Sequence, residues 1–385
     1  MRNNDLQPFQ LSVPDSVLDD LRQRLIRTRF PDEPPLAPWS TGTSIVYLKQ
    51  LLDYWREGFE WRSQEAKLNT FRQFTVPIAG INLHFIYEEG KGPDPIPLLL
   101  SHGWPGSVIE FYKVIPMLTD PARFGGNATD AFTVVAPSLP GYVFSFKAGQ
   151  KRFGVEEIAE VFSTLMTDVL GYSHFGAQGG DWGAFITSRL GYAFPDILIG
   201  IHLNLLAVRR DQIMLADPTT GEKVFLEQLN HFLKEETGYQ WIQGTKPTTL
   251  AFALTDSPAG LAAWQLEKFR TWSDCDGDPE NALTRDEMLT NITLYWVTGA
   301  IGSSFWPYYA RMHGPSPIPK GSTIDIPMGY VEFPKEILRP PRSVAERMYT
   351  DIRRWTVMQK GGHFAALEQP AALVDEIRSF FRALR

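Results

Sequence analysis

The sharpest chemical signal in the sequence is an aspartate inside the segment GAQGGDWGAF. Gly179, Asp181 and Gly183 fit the frame G-x-nucleophile-x-G. Small residues there allow a sharp strand-to-helix turn that holds the nucleophile in a strained backbone conformation. A serine in that position would attack a carbonyl, whereas the carboxylate of Asp181 attacks saturated carbon and becomes an ester. Hydrolysing such an ester calls for a base, a group that orients the base, and N–H donors for the negative oxygen. His363, in GGHFAALEQP, is the histidine placed beyond the last strand, where a base meets Asp181. Its orienting carboxylate is expected after the strand that precedes EFPKEIL, with Glu336 the first choice and Glu332 the rival one turn earlier. The oxyanion donors are expected to be the backbone N–H of Trp104, in SHGWPGS, and that of Trp182, the residue after the nucleophile. Plainer uses exist for each: an Asp caps helices, and HGWPG is a tight turn whose His102 can be satisfied by backbone groups.

The elements that must hold these residues follow from hydrophobic periodicity. Residues 12–28 read as a helix with Val17, Leu18, Leu21 and Leu25 on one face. Four prolines between Pro31 and Pro38 force an extended surface stretch. A second helix is predicted over Ser44–Trp61, and this arm has so little core of its own that it is expected to wrap the next unit. From residue 71 strands are predicted at Phe71–Pro77, Ile81–Glu88, Ile96–Ser101, Phe132–Pro137, His174–Gln178 and Ile197–Leu205. Helices are predicted between the later ones, at Val108–Leu118, Val155–Leu170 and Trp182–Phe194. The alternation implies βαβ units and a parallel sheet. Residues 207–320 break the rhythm with helical, aromatic-rich sequence and read as a lid. The rhythm resumes with strand Ile326–Phe333, helix Ser343–Asp351, strand Trp355–Gln359 and helix Pro370–Leu384. Four units result: 1–92, an N-terminal meander plus the first strands; 93–206, the first part of the α/β core; 207–320, the helical lid; and 321–385, the second part of the core.

Composition narrows the partners. A formal charge of −7 gives no basic footprint for nucleic acid. No apolar run approaches the roughly 18 residues that span a bilayer, and the start of the chain, with Arg2 and Asp5, has no signal-peptide pattern. A soluble, cytoplasmic protein is expected, and its single cysteine, Cys275, reads as a buried inert thiol. The 25 Phe, 13 Tyr and 11 Trp exceed what packing ordinarily demands and point to an aromatic-lined cavity. DCDGDPE opens like a calcium loop, but Pro279 stands at the required glycine and Arg285 at the terminal glutamate. It reads as a lid loop, and neither a metal nor a cofactor is implied.

Taken in order, HGWPGS, GGDWG, TGYQWIQGTKPTTLAFALTDSPAGLAAWQLEKF, TNITLYW, FPKE and GGHFAALEQP resemble the microsomal-type epoxide hydrolases over nearly the whole chain. The resemblance implies an α/β-hydrolase fold with a mainly parallel sheet, an N-terminal wrapping segment and a helical lid insertion. It also implies a role in detoxification or aromatic hydrocarbon catabolism, with a hydrophobic epoxide and water as substrates and room for a homodimer. Asp181 then becomes the nucleophile, His363 the base and Glu336 the orienting acid. Two tyrosines donate protons to the epoxide oxygen: Tyr239, in TGYQWIQ, and Tyr308, in SSFWPYYAR, with adjacent Tyr309 the alternative. A phenol keeps its proton at neutral pH, so the role suits it. Three departures from the family stand out: no membrane anchor, a short lid, and Val143 in SLPGYVFS where glycine is commoner. A haloalkane dehalogenase also places tryptophan after an elbow aspartate and is the runner-up; a non-catalytic ligand-binding relative is the third reading.

Overall fold

Apolar runs such as IPLLLS and FTVVAP have no polar face to show to water, so they belong in the middle of a sheet covered on both sides. The computed structural model describes residues 6–208 and 217–385. Its strands are β1 (Gln7–Phe9), β2 (Gln73–Ile78), β3 (Ile81–Glu88), β4 (Ile96–Ser101), β5 (Phe132–Pro137), β6 (Phe175–Gly179), β7 (Leu198–Leu203), β8 (Met328–Glu332) and β9 (Ile352–Val357). Among the described residues they form one sheet in the order β1-β2-β3-β5-β4-β6-β7-β8-β9. The first three strands and the β3–β5 junction pair antiparallel, and every pairing from β5 through β9 is parallel.

Successive side chains feed two cores, as a period of two requires. Leu99, Val135, Ala177 and Ile201 enter one cluster, while Leu98, Leu100, Val134 and Ala136 enter the other. The first is covered by α5 (Val155–Thr164) and α6 (Trp182–Ala193), the second by α4 (Val114–Thr119) and α15 (Pro370–Arg382). Each fully buried leucine contributes about 1.5–3 kcal/mol, so the central strands are fixed in register and their ends are rigid platforms.

The N-terminal helices are α1 (Asp15–Ile26), α2 (Ile45–Glu57) and α3 (Trp61–Leu68). The helix expected over Ser44–Trp61 stops at Gly58 because the N–H groups of Gly58 and Phe59 both close onto the Tyr54 carbonyl. The arm clasps the lid more than the sheet: α1 and α2 pack on α10 (Pro258–Trp272). Leu21, Leu25, Leu51 and Trp55 are buried, and the Tyr54 hydroxyl donates to Asp286 at 2.8 Å. Only β1, three residues and too short to show alternation, joins the sheet edge.

Between β7 and β8 the described chain is helical: α7 (Thr220–Glu235), α8 (Gly238–Thr245), α9 (Pro247–Asp256), α10, α11 (Arg285–Thr298), α12 (Ile301–Ser304) and α13 (Trp306–His313). Two more expected helices differ. Val108–Leu118 divides into a 3₁₀ turn, Val108–Phe111, and α4. Ser343–Asp351 shrinks to α14 (Arg342–Ala345), because the chain returns to the sheet when Ile324 N–H bonds to the Met348 carbonyl. No helix among the described residues is long and apolar enough to cross a membrane.

Candidate active site

All the candidate groups from the sheet sit at C-terminal strand ends. Asp181 follows β6 at the head of α6, with φ 47° and ψ −127°. A non-glycine residue pays for such a conformation with strain of about 1–3 kcal/mol, and here it points the carboxylate out over the sheet. SHGWPGS follows β4, and the backbone N–H of Trp104 donates to Asp181 Oδ1 at 2.7 Å. That approach requires Gly103, since a Cβ there would lie 2.1 Å from Asp181 Oδ1. Trp182 opens α6, so its N–H belongs to the free first turn of the helix.

Two loops bring the base to the nucleophile. The loop after β8 carries Glu336 and the loop after β9 carries His363; they are tied by the bond from Lys335 N–H to the Gly361 carbonyl. His363 Nδ1 donates to Glu336 Oε1 at 2.6 Å, and its Nε2 lies 3.6 Å from Asp181 Oδ2. The structure therefore brings Glu336 to the imidazole; Glu332, at the end of β8, is half-buried elsewhere. Burial works to lower the pKa of His363, but Glu336 and Asp181 outweigh it and hold the imidazole well above its ordinary value. The imidazole thus lies between two carboxyl groups. Its ring packs edge-on against Trp272, whose carbonyl accepts the His363 N–H.

The lid supplies an aromatic roof. Tyr239, on α8, stacks on Trp104 with centroids 5.4 Å apart and meets Tyr308, on α13, at 5.6 Å. Tyr308 stands edge-on to Trp182 at 4.7 Å. Both phenols are buried, and burial together with the Asp181 charge pushes both far up, so they are protonated. Gln240 Nε2 donates to the Tyr239 oxygen at 2.9 Å, which leaves the Tyr239 proton free to point elsewhere. Tyr309 lies on another face of α13, stacked between Trp306 and His313. Of the lid aromatics, Trp241 lines the large cavity described below, while Phe305 is core packed on Trp104.

Several groups that hold the site carried no assigned role in the sequence. Asn291 Nδ2 donates to the Pro105 carbonyl and its Oδ1 accepts from Ser107, each at 2.8 Å. Tyr295, one turn further along α11, donates to the Gly106 carbonyl at 2.7 Å. The motif TNITLYW contained that signal, because Asn and Tyr four apart share one helix face. His102 is a pin: it bonds to the Gly103 carbonyl and accepts the Leu139 N–H, and burial lowers its pKa to about 4. Asp274, from the calcium-like segment, accepts the Gly361 N–H and so braces the His363 loop. Cys275 is buried and free. Val143 adopts φ 28°, which explains why glycine suits that position.

Parallel strands that present a nucleophile elbow, an oxyanion loop, an acid and a histidine at one edge define an α/β-hydrolase enzyme. Accordingly, residues 96–220 match the family model described as alpha/beta hydrolase fold, and residues 6–111 match the one described as epoxide hydrolase N terminus. A candidate epoxide hydrolase of Stigmatella aurantiaca is 44% identical, with 99% of this chain and 86% of that protein covered. Epoxide hydrolase 1 of Oryctolagus cuniculus is 36% identical, with 99% and 89% covered. Among solved structures, juvenile hormone epoxide hydrolase from the silkworm Bombyx mori superposes with a TM-score of 0.87 at 31% identity, covering 99% of this chain and 95% of that one. The chain belongs to the epoxide hydrolase family. This membership sets aside the dehalogenase and non-catalytic readings.

Proposed function

We propose that the protein converts hydrophobic epoxides to vicinal diols through an alkyl ester on Asp181. The observation that carries this reading is the convergence on one carboxyl group of a buried imidazole, a backbone N–H and a pair of buried phenols. Asp181 attacks one ring carbon, the carbon–oxygen bond breaks, and the departing oxygen takes a proton from Tyr239 or Tyr308. Esterification removes the Asp181 anion, one of the two charges that hold the His363 pKa up, so the imidazole can pass its proton through solvent to the tyrosinate left by ring opening and then act as base. Water attacks the ester carbonyl and passes a proton to His363 Nε2, while the N–H groups of Trp104 and Trp182 receive the oxyanion. Collapse then releases the diol and restores Asp181.

A cavity of about 740 Å³ reaches Trp182 and Tyr308 and is lined by Phe185, Val208, Trp241 and Met312 among others. Its size is that of small-molecule sites, and its apolar walls favour a hydrophobic substrate. We place the enzyme in the cytoplasm, where the Cys275 thiol stays reduced.

Isotope labelling tests the covalent route. A single turnover with enzyme in excess in heavy-oxygen water should give unlabelled diol and leave the label on Asp181, whereas diol fully labelled in that first turnover would mean direct attack by water. His363→Gln should accumulate protein heavier by one epoxide, with the adduct on the Asp181 peptide.

A further inference from the structure

The two phenols at the site are not equivalent. Gln240 Nε2 donates to the Tyr239 oxygen at 2.9 Å, whereas the Tyr308 oxygen is buried with no hydrogen-bond partner among the described residues. The contact is one that helical geometry does not supply by itself. Tyr239 and Gln240 are consecutive in the first turn of α8, and side chains one apart on a helix diverge by about 100°. Here the two meet all the same, although the half-buried Gln240 also lines the large cavity. A phenol hydrogen lies near the plane of its ring, on one side of the oxygen or the other, so an N–H that holds one side sends the hydroxyl hydrogen to the opposite one. Asp181 is the charge that bears most on this phenol.

A second group favours negative charge on the same ring. Lys268, on α10, is buried, and its Nζ lies 4.8 Å from the ring centroid of Tyr239 and 5.4 Å from that of Trp272. Glu267, at 2.6 Å, and Glu236, at 3.5 Å, hold the ammonium there. Both glutamate side chains are 25% exposed and reach water, while that of Lys268 is only 8% exposed, so the ring face meets the cation. An ammonium over an aromatic face is attracted to it, and the attraction grows when the ring takes on phenolate charge. Burial and the Asp181 charge push the Tyr239 phenol up, and Gln240, Tyr308 and Arg311 all work in the opposite direction.

Resting on the covalent reading above, we propose that Tyr239 is the phenol that gives up its proton and that Gln240 is the positioning residue that prepares it, by aiming the hydroxyl hydrogen and by stabilising the phenolate oxygen left behind. Asp181 forms its bond to an epoxide carbon, the ring carbon–oxygen bond breaks with its electron pair on oxygen, and that oxygen takes the Tyr239 proton. The products are a β-hydroxyalkyl ester and a tyrosinate whose oxygen already holds the Gln240 N–H. Tyr308 has no such donor, so it keeps its proton and holds the departing oxygen by a hydrogen bond. A hydrogen bond strengthens as its acceptor becomes charged, so the amide does more for the transition state than for the resting site.

Single-turnover rapid quench, with styrene oxide as the probe and enzyme in excess, reads the two chemical steps separately. Gln240→Met keeps the length of the side chain and removes the donor; alkylation should slow by about 10- to 100-fold, the size of a hydrogen bond to a group that becomes charged. Gln240→Glu, ionised at neutral pH, offers only acceptors, ties up the Tyr239 hydrogen and should be slower still. Ester hydrolysis should stay within about threefold of wild type in both variants, since the lost interaction belongs to the first step. The amount of adduct formed counts the folded sites. Double-mutant cycles locate the effect: Gln240→Met should cost a similar factor in a Tyr308→Phe background and less than about twofold in a Tyr239→Phe background. Alkylation at the wild-type rate in Gln240→Met would overturn the inference. An undiminished loss in the Tyr239→Phe background would do the same, because Gln240 would then act on the substrate or the fold directly. So would a Gln240→Glu variant as fast as wild type, which would make the native amide an acceptor from Tyr239. If wild type forms no ester at all, the covalent reading fails first and this inference falls with it, whereas normal ester formation in wild type and in both Gln240 variants defeats the role of Gln240 alone.

Discussion

Replacing Glu336 by glutamine isolates what its charge contributes to the base. His363 Nδ1 and the Ile337 N–H both donate to Glu336 Oε1, at 2.6 and 2.7 Å. Two donors converging on one atom will turn a glutamine so that its amide oxygen takes that place. The imidazole then keeps its tautomer, and only the charge is lost. A hydrogen bond to a charged group is worth about 1.5–3 kcal/mol, which at a tenfold change for every 1.4 kcal/mol corresponds to roughly 10- to 150-fold in ester hydrolysis. A reversed tautomer would cost far more, about 10⁴-fold in the comparable triad of serine proteases. The amide NH₂ would occupy the site of Oε2, which is buried without a partner among the described residues, and an unsatisfied donor there should lower stability by about 1–3 kcal/mol. Rapid-quench kinetics with intact-protein mass spectrometry would measure hydrolysis, and denaturant titration would measure stability. Hydrolysis within about threefold of wild type would refute the charge argument, and a loss near 10⁴-fold would refute the claim that Ile337 fixes the amide. Glu332→Gln is the matched control and should leave hydrolysis unchanged.

Tyr239→Phe and Tyr308→Phe should each slow alkylation by about 10²- to 10³-fold if each phenol acts as an oxyanion donor, while Tyr309→Phe should not; stopped-flow burst rates decide. Gly103→Ala should fold yet alkylate about 100-fold more slowly, because its Cβ would displace the Asp181 carboxylate from 2.1 Å; normal burst kinetics would show that the nucleophile tolerates the shift. His202 is buried without a partner for either ring nitrogen among the described residues, and burial lowers its pKa to about 4. The unfolded chain therefore binds a proton below about pH 6.5 that the folded chain refuses, and stability is withdrawn as pH falls from there towards 4, by up to about 1.4 kcal/mol per pH unit. His202→Leu should accordingly gain stability relative to wild type as pH drops from 7 to 5 in denaturant titrations, and a difference independent of pH would count against a neutral buried imidazole.

The sheet and the elbow were legible because both rest on local rules. Short, nearly continuous apolar runs such as Ile96–Leu100 admit few alternatives to buried parallel strands, and the glycines around Asp181 admit few alternatives to a strained turn. What the sequence concealed depends on partners distant along the chain. Whether Ser343–Asp351 is a helix was decided by Ile324, which draws Met348 back to the sheet. The choice between Tyr308 and Tyr309, or Glu336 and Glu332, turns on a helix face or a loop path that spacing cannot fix.

The arrangement makes one negative charge serve three groups in turn. In the resting site the Asp181 anion raises the pKa of His363 and of both phenols. In the covalent route proposed above, the phenols would then be poor acids and the imidazole a poor base until an epoxide arrives. As Asp181 attacks, its charge moves onto the epoxide oxygen, and the field that kept the phenols from releasing a proton disappears at the moment a proton is needed. The same loss would lower the pKa of His363, so that the imidazole turns base once there is an ester to hydrolyse. Glu336 keeps its bond to the imidazole while the other neighbour of the ring is neutralised. A carboxylate nucleophile thus orders the two half-reactions by its own change of charge, a property that a neutral serine at the same turn would not supply.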